Sequence, residues 1–305
     1  MYIHTYNILR IVVKKCINIT VNKCAKRDSR NAVRKRSEDS FLAERRGLGQ
    51  RPILIGGRRM NSIYNQPTRI TYYDLDYRGK IKLSALLRMV HVAADVNAKE
   101  LGIGFNVMAP LGMTFVLQRF GVRIIRMPVY DETVTIRTWP SEISKGTFLR
   151  LGDMYDSQGE KIMEWASLWL LFDINARKVL RPATLPVDLP EMGYEDVAVR
   201  PEKIPLHQEW GQPFFKYRHT VGYRDTDTNM HMNNSIYGDL IGNALFPAEI
   251  INTVDNRPDW KEVQINYLSE IRVGQEVEVS AVNDGDKYFV AGVAGGRTAF
   301  AALIV

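Results

Sequence analysis

Apolar and polar residues recur along the chain with two different periods, one typical of helices and one typical of strands. A helical pattern followed by several strand patterns occurs twice. The spacing i, i+3, i+4 predicts an amphipathic helix near the start of the first copy, with apolar positions at Leu83, Leu86, Leu87 and Val90. A second helical pattern covers residues 237–246. Alternating segments follow each helix and predict strands over residues 114–125, 132–139, 148–156 and 161–174, and then 262–273, 275–282, 287–294 and 297–305.

The repeat is weak in identity but clear in order. Aligning Asp74-Leu75-Asp76 with Asp225-Thr226-Asp227 also places Tyr72 on Tyr223. One helix followed by antiparallel strands, given twice, predicts the α+β class. Two such units side by side can continue one sheet, which removes an exposed edge from each. We therefore expect a first unit over 60–181, a proline-rich linker over 182–213 and a second unit over 214–305.

The formal charge of +7 belongs to the N-terminal extension. Residues 1–59 hold 15 basic and 4 acidic residues, whereas the remainder holds 26 basic and 30 acidic residues. This distribution argues against nucleic acid as a partner of the body. We expect residues 1–59 to be disordered. Two explanations of this extension stay open: either translation naturally starts at Met60, or the extension is a targeting segment. The weak transit character favours a cytoplasmic location, with a plastid as the alternative.

No apolar run approaches the ~18 residues that a membrane-spanning helix needs. Both cysteines, Cys16 and Cys24, lie in the extension, so the body has no thiolate metal site and no cysteine nucleophile. The sequence also contains no phosphate-binding glycine loop and no nucleophile elbow. We expect neither a metal nor another cofactor. The chemistry that remains is activation of water by an acid or base, with amide groups stabilising an oxyanion.

A dense polar cluster precedes the second helix, in the segment YRDTDTNMHMNNSIY over residues 223–237. Asp227, Asn229 and His231 alternate there, so they would project to one side if the segment were extended. The first copy has Asp76, Arg78 and Lys80 at these places, so two of the three residues differ, which argues against capping as the sole purpose of the cluster. Capping still has good candidates immediately afterwards, namely Asn233, Asn234 and Ser235. A surface loop without catalytic function is the competing interpretation.

The segment DTDTNMHMNNSIY resembles the signature of the acyl-acyl-carrier-protein (acyl-ACP) thioesterases, which have a tandem hotdog fold. Further similarity lies in NYLSEIRVGQEVEV and in the first-copy strands, and it covers about residues 60 to 305. The resemblance implies two long helices, each wrapped by antiparallel strands of one extended sheet. It also implies hydrolysis of the thioester between a fatty acyl chain and the phosphopantetheine arm of acyl carrier protein. In this family the first half helps to shape the acyl pocket.

The resemblance places catalytic roles on Asp227, Asn229, His231 and Glu270. Plant members carry a cysteine directly after the glutamate, whereas this chain has Ile271, so water must attack the thioester. We expect Glu270 to act as general base with His231, although base duty among Glu270, His231 and Asp227 stays open. The Asn229 amide and backbone N–H groups near Asn233 and Asn234 would polarise the carbonyl.

An acidic carrier protein calls for a local basic patch, and the candidates are Arg177, Lys178 and Arg181. An ordinary hairpin turn explains these residues equally well. An acyl-CoA thioesterase of the same fold is the nearest alternative function. A non-catalytic acyl-binding sensor is the alternative from another class. The sequence leaves both acyl chain length and a homodimer undecided.

Overall fold

The structure is a computed structural model of the chain. It describes residues 63–187, 189, 196–205, 211–248 and 259–305. The predictions for residues 1–59 and for a start at Met60 lie outside these ranges, as does part of the predicted linker.

The first half contains one long helix and six strands among its described residues. The helices are α1 (Leu83–Glu100) and the short α2 (Phe105–Met108). The strands are β1 (Tyr64–Arg69), β2 (Met113–Ile124), β3 (Thr133–Ser144), β4 (Thr147–Tyr155), β5 (Lys161–Asp173) and β6 (Lys178–Val179). Single turns of 3-10 helix cover Tyr72–Asp74, Ala109–Leu111 and Pro182–Thr184.

The second half repeats this order over its described residues. Its helix is α3 (Ile236–Leu245), preceded by a 3-10 turn at Tyr223–Asp225. Its strands are β7 (Phe215–Thr220), β8 (Glu262–Tyr267), β9 (Glu276–Asp284), β10 (Lys287–Ala294) and β11 (Arg297–Ile304).

All described strands belong to a single antiparallel sheet with the order β1-β3-β4-β5-β2-β8-β11-β10-β9-β7, and β6 pairs with β5. The halves meet where β2 pairs with β8, with Phe120 opposite Ile265. Each half contributes its second strand to this junction and its first strand to an outer edge. The expected α+β architecture of two units sharing one sheet is therefore confirmed, and the junction covers one edge of each unit.

Both outer strands, β1 and β7, are absent from the sequence prediction. Each alternates half-buried with exposed positions and is rich in polar residues, so the apolar signal is weak. β1 also contains Pro67, which a strand accommodates at a sheet edge because proline donates no ladder hydrogen bond. The predicted strand over 262–273 was too long. β8 ends at Tyr267, and the N–H groups of Leu268 and Ser269 both turn to the Ala299 carbonyl.

The two helices pack on the sheet and cross each other at a glycine. One continuous core joins apolar residues of α1, α3 and strands from both halves, including the fully buried Phe120, Trp165 and Phe300. At the crossing, a Cβ on Gly238 would lie 2.5 Å from the Ser84 backbone nitrogen. The Ser84 hydroxyl donates a hydrogen bond to Asp239 beside this contact. Close approach of the helix backbones therefore depends on glycine at this position.

Candidate active site

Matching turns stand before the two main helices. In the second half the Asp227 N–H donates to the His231 carbonyl at 3.0 Å, and in the first half Asp76 donates to Lys80 at 2.8 Å. The Asp227 carboxylate accepts the Asn229 N–H at 2.8 Å, as the Asp76 carboxylate accepts the N–H two residues later at 2.9 Å. The predicted alignment of the two copies is thus reproduced by the backbone.

The segment of Asp227, Asn229 and His231 is a tight turn and not an extended strand. The condition for the alternation argument is therefore not met. The turn places Met230 in the left-handed region with a φ of 63°, where the first half has Gly79 at 74°. A bulky residue is disfavoured there, and such backbone strain concentrates at functional sites.

A short backbone ladder brings His231 against Glu270. The Met232 N–H donates to the Ile271 carbonyl at 2.7 Å, and His231 forms an isolated bridge with Arg272. Ile271 is 0% exposed and packs in the core, which directs its two neighbours to the opposite side. As a result, His231 Nε2 lies 3.0 Å from Glu270 Oε2, and these side chains are 28% and 31% exposed.

Two arginines contact the other oxygen of this carboxylate. Arg177 Nη2 lies 2.7 Å from Glu270 Oε1, and Arg272 donates to the same oxygen through Nε at 3.1 Å and through Nη2. Partial burial acts to raise the pKa of Glu270. The Arg272 hydrogen bond and the electrostatic effects of His231, Arg177 and Arg272 outweigh it and lower the pKa. Glu270 is consequently ionised at neutral pH.

The remaining predicted residues lie around this pair without joining it directly. Asn229 is exposed, and its contact is the backbone bond to Asp227. Tyr237, on the first turn of α3, is buried and packs edge-on against Tyr267 and Phe300. Burial raises the pKa of Tyr237, and the negative charges of Glu270 and Asp227 add to this effect. Asp227, Glu270 and Tyr237 therefore share one electrostatic environment.

The start of α3 is organised by Asn233. Its side-chain oxygen accepts the Ser235 N–H at 2.9 Å and the Ser235 hydroxyl at 2.8 Å, which closes a local turn. Ser235 is the residue directly before α3, and its own side chain makes no capping hydrogen bond. The Asn233 N–H itself donates to the Asp225 carbonyl at 2.8 Å, so it is not available to an oxyanion. Among the described residues, the Asn234 N–H has no acceptor. Of the two backbone groups proposed for oxyanion support, Asn234 is the one left available.

The three basic candidates for carrier docking lie in different settings. All three are exposed, and Arg177 also reaches Glu270 from the turn between β5 and β6. The sequence analysis did not single out Arg272 or Tyr237. Arg272 lies two residues after Glu270, and Tyr237 lies two residues after Ser235. Their closeness in sequence to these predicted positions is the signal that could have identified them.

A pocket of about 210 Å³ opens in the first half between α1 and the sheet. Its apolar wall includes Ala94, Ala98, Met108, Phe115, Phe148 and Trp169. Four polar residues also line it, namely His91, Asp95, Thr114 and Arg150. Burial lowers the pKa of His91 to about 4, so this ring is neutral, and the buried Arg150 donates to Asn97 at 2.7 Å. The pocket wall uses the start of β2, where Met113 pairs with Asp173 just before the Arg177 turn.

Two models of known protein families match successive parts of the chain. The model of the acyl-ACP thioesterase N-terminal domain matches residues 61–184, and that of the C-terminal domain matches residues 211–292. Together they cover more than half of the chain. The chain belongs to the acyl-ACP thioesterase family. It is a thioester hydrolase that acts on fatty acyl-ACP. No curated protein matches the chain significantly.

Solved structures share the fold of this thioesterase at low sequence identity. An acyl-ACP thioesterase from Bacteroides thetaiotaomicron is 21% identical with a TM-score of 0.63, and the match covers 80% of this chain and 98% of that one. The 12:0-ACP thioesterase from Umbellularia californica is 16% identical with a TM-score of 0.67, covering 85% and 98%. The predicted tandem hotdog fold is thus confirmed. No helix among the described residues is long and apolar enough to cross a membrane.

Proposed function

We propose that this thioesterase releases fatty acid from acyl-ACP by means of a water molecule activated at the Glu270–His231 pair. The observation that carries the proposal is the 3.0 Å separation of His231 Nε2 and Glu270 Oε2. The cationic groups around Glu270 keep it ionised, and an ionised carboxylate can accept a proton. Ile271 faces the core, so the position after the glutamate presents no group to a substrate.

The reaction follows from these groups in two steps. Glu270, with His231, takes a proton from water. At the same time the oxygen of that water attacks the thioester carbonyl carbon. The carbonyl oxygen becomes an oxyanion, for which the Asn234 N–H and the Asn229 amide are the proposed donors. The intermediate then collapses, the carbon–sulfur bond breaks, and the phosphopantetheine thiolate takes the proton from the pair. Asp227 serves by fixing the turn through its bond to the Asn229 N–H.

The acyl chain is proposed to enter the first-half pocket. Its wall is largely apolar, as a hydrocarbon chain requires. The pocket lies at the start of β2, which pairs with the end of β5. The turn that follows β5 carries Arg177, which contacts Glu270. The division of labour follows the unit boundaries proposed from sequence, with substrate binding in 60–181, a linker over 182–213 and catalysis in 214–305.

We also propose a contact surface for the carrier protein. Lys178 and Arg181 are exposed and provide a basic contact for an acidic carrier protein. A cytoplasmic location remains a prediction, with a plastid as the alternative, and a homodimer of these two-unit chains remains undecided.

The proposal is tested by measuring fatty acid release from C8 to C18 acyl-ACP and from matched acyl-CoA, with protein that starts at Met60. We expect turnover with preference for the carrier protein. Glu270→Gln should lower kcat by about 10²–10⁴-fold, the usual contribution of a general base. Glu278→Gln is the matched control, because Glu278 is also an arginine-paired carboxylate in the second half, 3.2 Å from Arg218. Wild-type turnover by the Glu270 variant would remove the assigned base.

A further inference from the structure

Arg177 is held in place by its turn. The Asp173 carboxylate accepts the Asn175 N–H at 2.9 Å and the Ala176 N–H at 2.8 Å, which closes the loop between β5 and β6. Arg177 follows with a φ of 51°, in the left-handed region that favours glycine. Its guanidinium crosses from the first half to Glu270, 93 residues further along the chain. An arginine thus occupies a backbone position where glycine would be more stable.

The contact fixes one oxygen of the carboxylate and leaves the other to His231. Arg272 also contacts Oε1, but it lies two residues from Glu270 on the same segment and moves with it. Arg177 belongs to a separate element, whose strand β5 also contributes Trp169 to the pocket wall. Its ion pair therefore ties the orientation of Glu270 to the half that forms the pocket.

We infer that Arg177 is a positioning residue, which holds the carboxylate of Glu270 toward His231 and in register with the first-half pocket. This inference rests on the proposed function of the Glu270–His231 pair. It assigns Arg177 to the reaction and not to carrier docking. A guanidinium suits this task because its planar donors fix the direction of a carboxylate as well as its charge.

The charged and titratable groups that face Glu270 come from several elements. They are Arg177 on the β5–β6 turn, Arg272 on its own segment, His231 on the turn over residues 227–231, and Tyr237 on α3. Arg177, Arg272 and His231 favour the ionised carboxylate. Removing Arg177 takes away one stabilising charge, so the pKa of Glu270 rises. Protonation then begins at higher pH, and the acidic limb of kcat/KM moves upward.

Arg177→Gly tests the inference, because the backbone conformation makes glycine the favourable replacement. We expect Tm to stay the same or rise, and kcat to fall about 10–100-fold, the loss that misplaced reacting groups cause. Both acyl-ACP and a carrier-free acyl-pantetheine should show this fall in kcat, with the acidic limb shifted to higher pH. Arg177→Lys should reverse most of the pH shift, because it keeps the charge, and recover part of kcat.

Lys145→Gly provides the matched control. Lys145 is an exposed basic residue in the β3–β4 turn with a φ of 50°. The control should share any gain in Tm and keep the kcat and pH profile of the wild type.

The outcomes separate the two proposals. An unchanged kcat and pH profile in Arg177→Gly would overturn the positioning role. A rise in KM limited to acyl-ACP would do the same and would assign Arg177 to docking. If Arg177→Gly unfolds, the same readouts on Arg177→Asn decide, because asparagine removes the charge and tolerates the left-handed conformation, and a structural role alone does not shift the acidic limb. A folded wild type without activity on any thioester would instead refute the proposed function.

Discussion

Gly238→Ala tests the packing that sets the position of α3 and of the turn over residues 227–231 before it. The new Cβ would lie 2.5 Å from the Ser84 nitrogen and 2.8 Å from both the Leu83 carbonyl carbon and the Ser84 Cα. Carbon contacts are ordinarily about 3.5–4.0 Å. The helices would have to separate by roughly 1 Å, because backbone atoms cannot move aside as a rotamer does.

Overpacking of this kind costs about 1–3 kcal/mol. The higher helix propensity of alanine returns up to about 1 kcal/mol, so the net loss should be about 1–2 kcal/mol. For a domain of this size that corresponds to a fall in Tm of roughly 2–8 °C. Thermal unfolding followed by circular dichroism measures it. Fatty acid release should fall as well, because the shift includes the start of α3.

Gly242→Ala is the internal control on the same helix. A Cβ at Gly242 would have no neighbour within 4 Å, so only the gain in helix propensity remains. We expect stabilisation by about 0.5–1 kcal/mol. The two variants should therefore change Tm in opposite directions. Equal or higher stability of Gly238→Ala would refute the account of the crossing.

Two further predictions concern the pocket and the core. Phe148→Ala enlarges the pocket where Phe148 meets Phe115 edge-on in its wall, so the preferred acyl chain should become longer by two or more carbons. Competition among acyl-ACP substrates of different chain length measures this preference. An unchanged preference would show that the acyl chain binds elsewhere. Ile271→Cys, in protein starting at Met60, should lose about 1–2 kcal/mol of stability and keep wild-type turnover after treatment with iodoacetamide, because the new thiol is buried. Rapid alkylation with loss of turnover would contradict that orientation.

The sequence predicts those parts of the fold in which burial leaves a periodic signal. The helix over Leu83–Glu100 and the long inner strands have such a signal, since one or both of their faces lie in the core. β1 and β7 have little of it, because they stand at the edges of the sheet. The early end of β8 at Tyr267 is set by the Ala299 carbonyl, a tertiary contact that no local pattern announces.

In the candidate site, too, local features can be predicted from the sequence and tertiary contacts cannot. Asp227 and His231 are neighbours in sequence, so a turn was enough to bring them together. The nearness of Glu270 came from the family resemblance, and the structure adds the bridge between His231 and Arg272 that produces it. The contact of Arg177 with Glu270 depends on how the two halves share a sheet. The composition of a hairpin turn gives no indication of that contact.

The two matching turns have come to serve different ends. In the second half the turn presents His231 to Glu270, whereas in the first half Arg78 pairs with Asp76 at 2.9 Å and stacks on Phe246, with its guanidinium carbon 4.0 Å from the ring centre. Lys80 adds an ion pair to Asp259 at 2.8 Å, also across the halves. A dimer of identical subunits must repeat every residue in both copies. Joining the copies in one polypeptide lifts that constraint, so the turn of the first half can tie the two halves together while the turn of the second half carries the proposed catalytic residues.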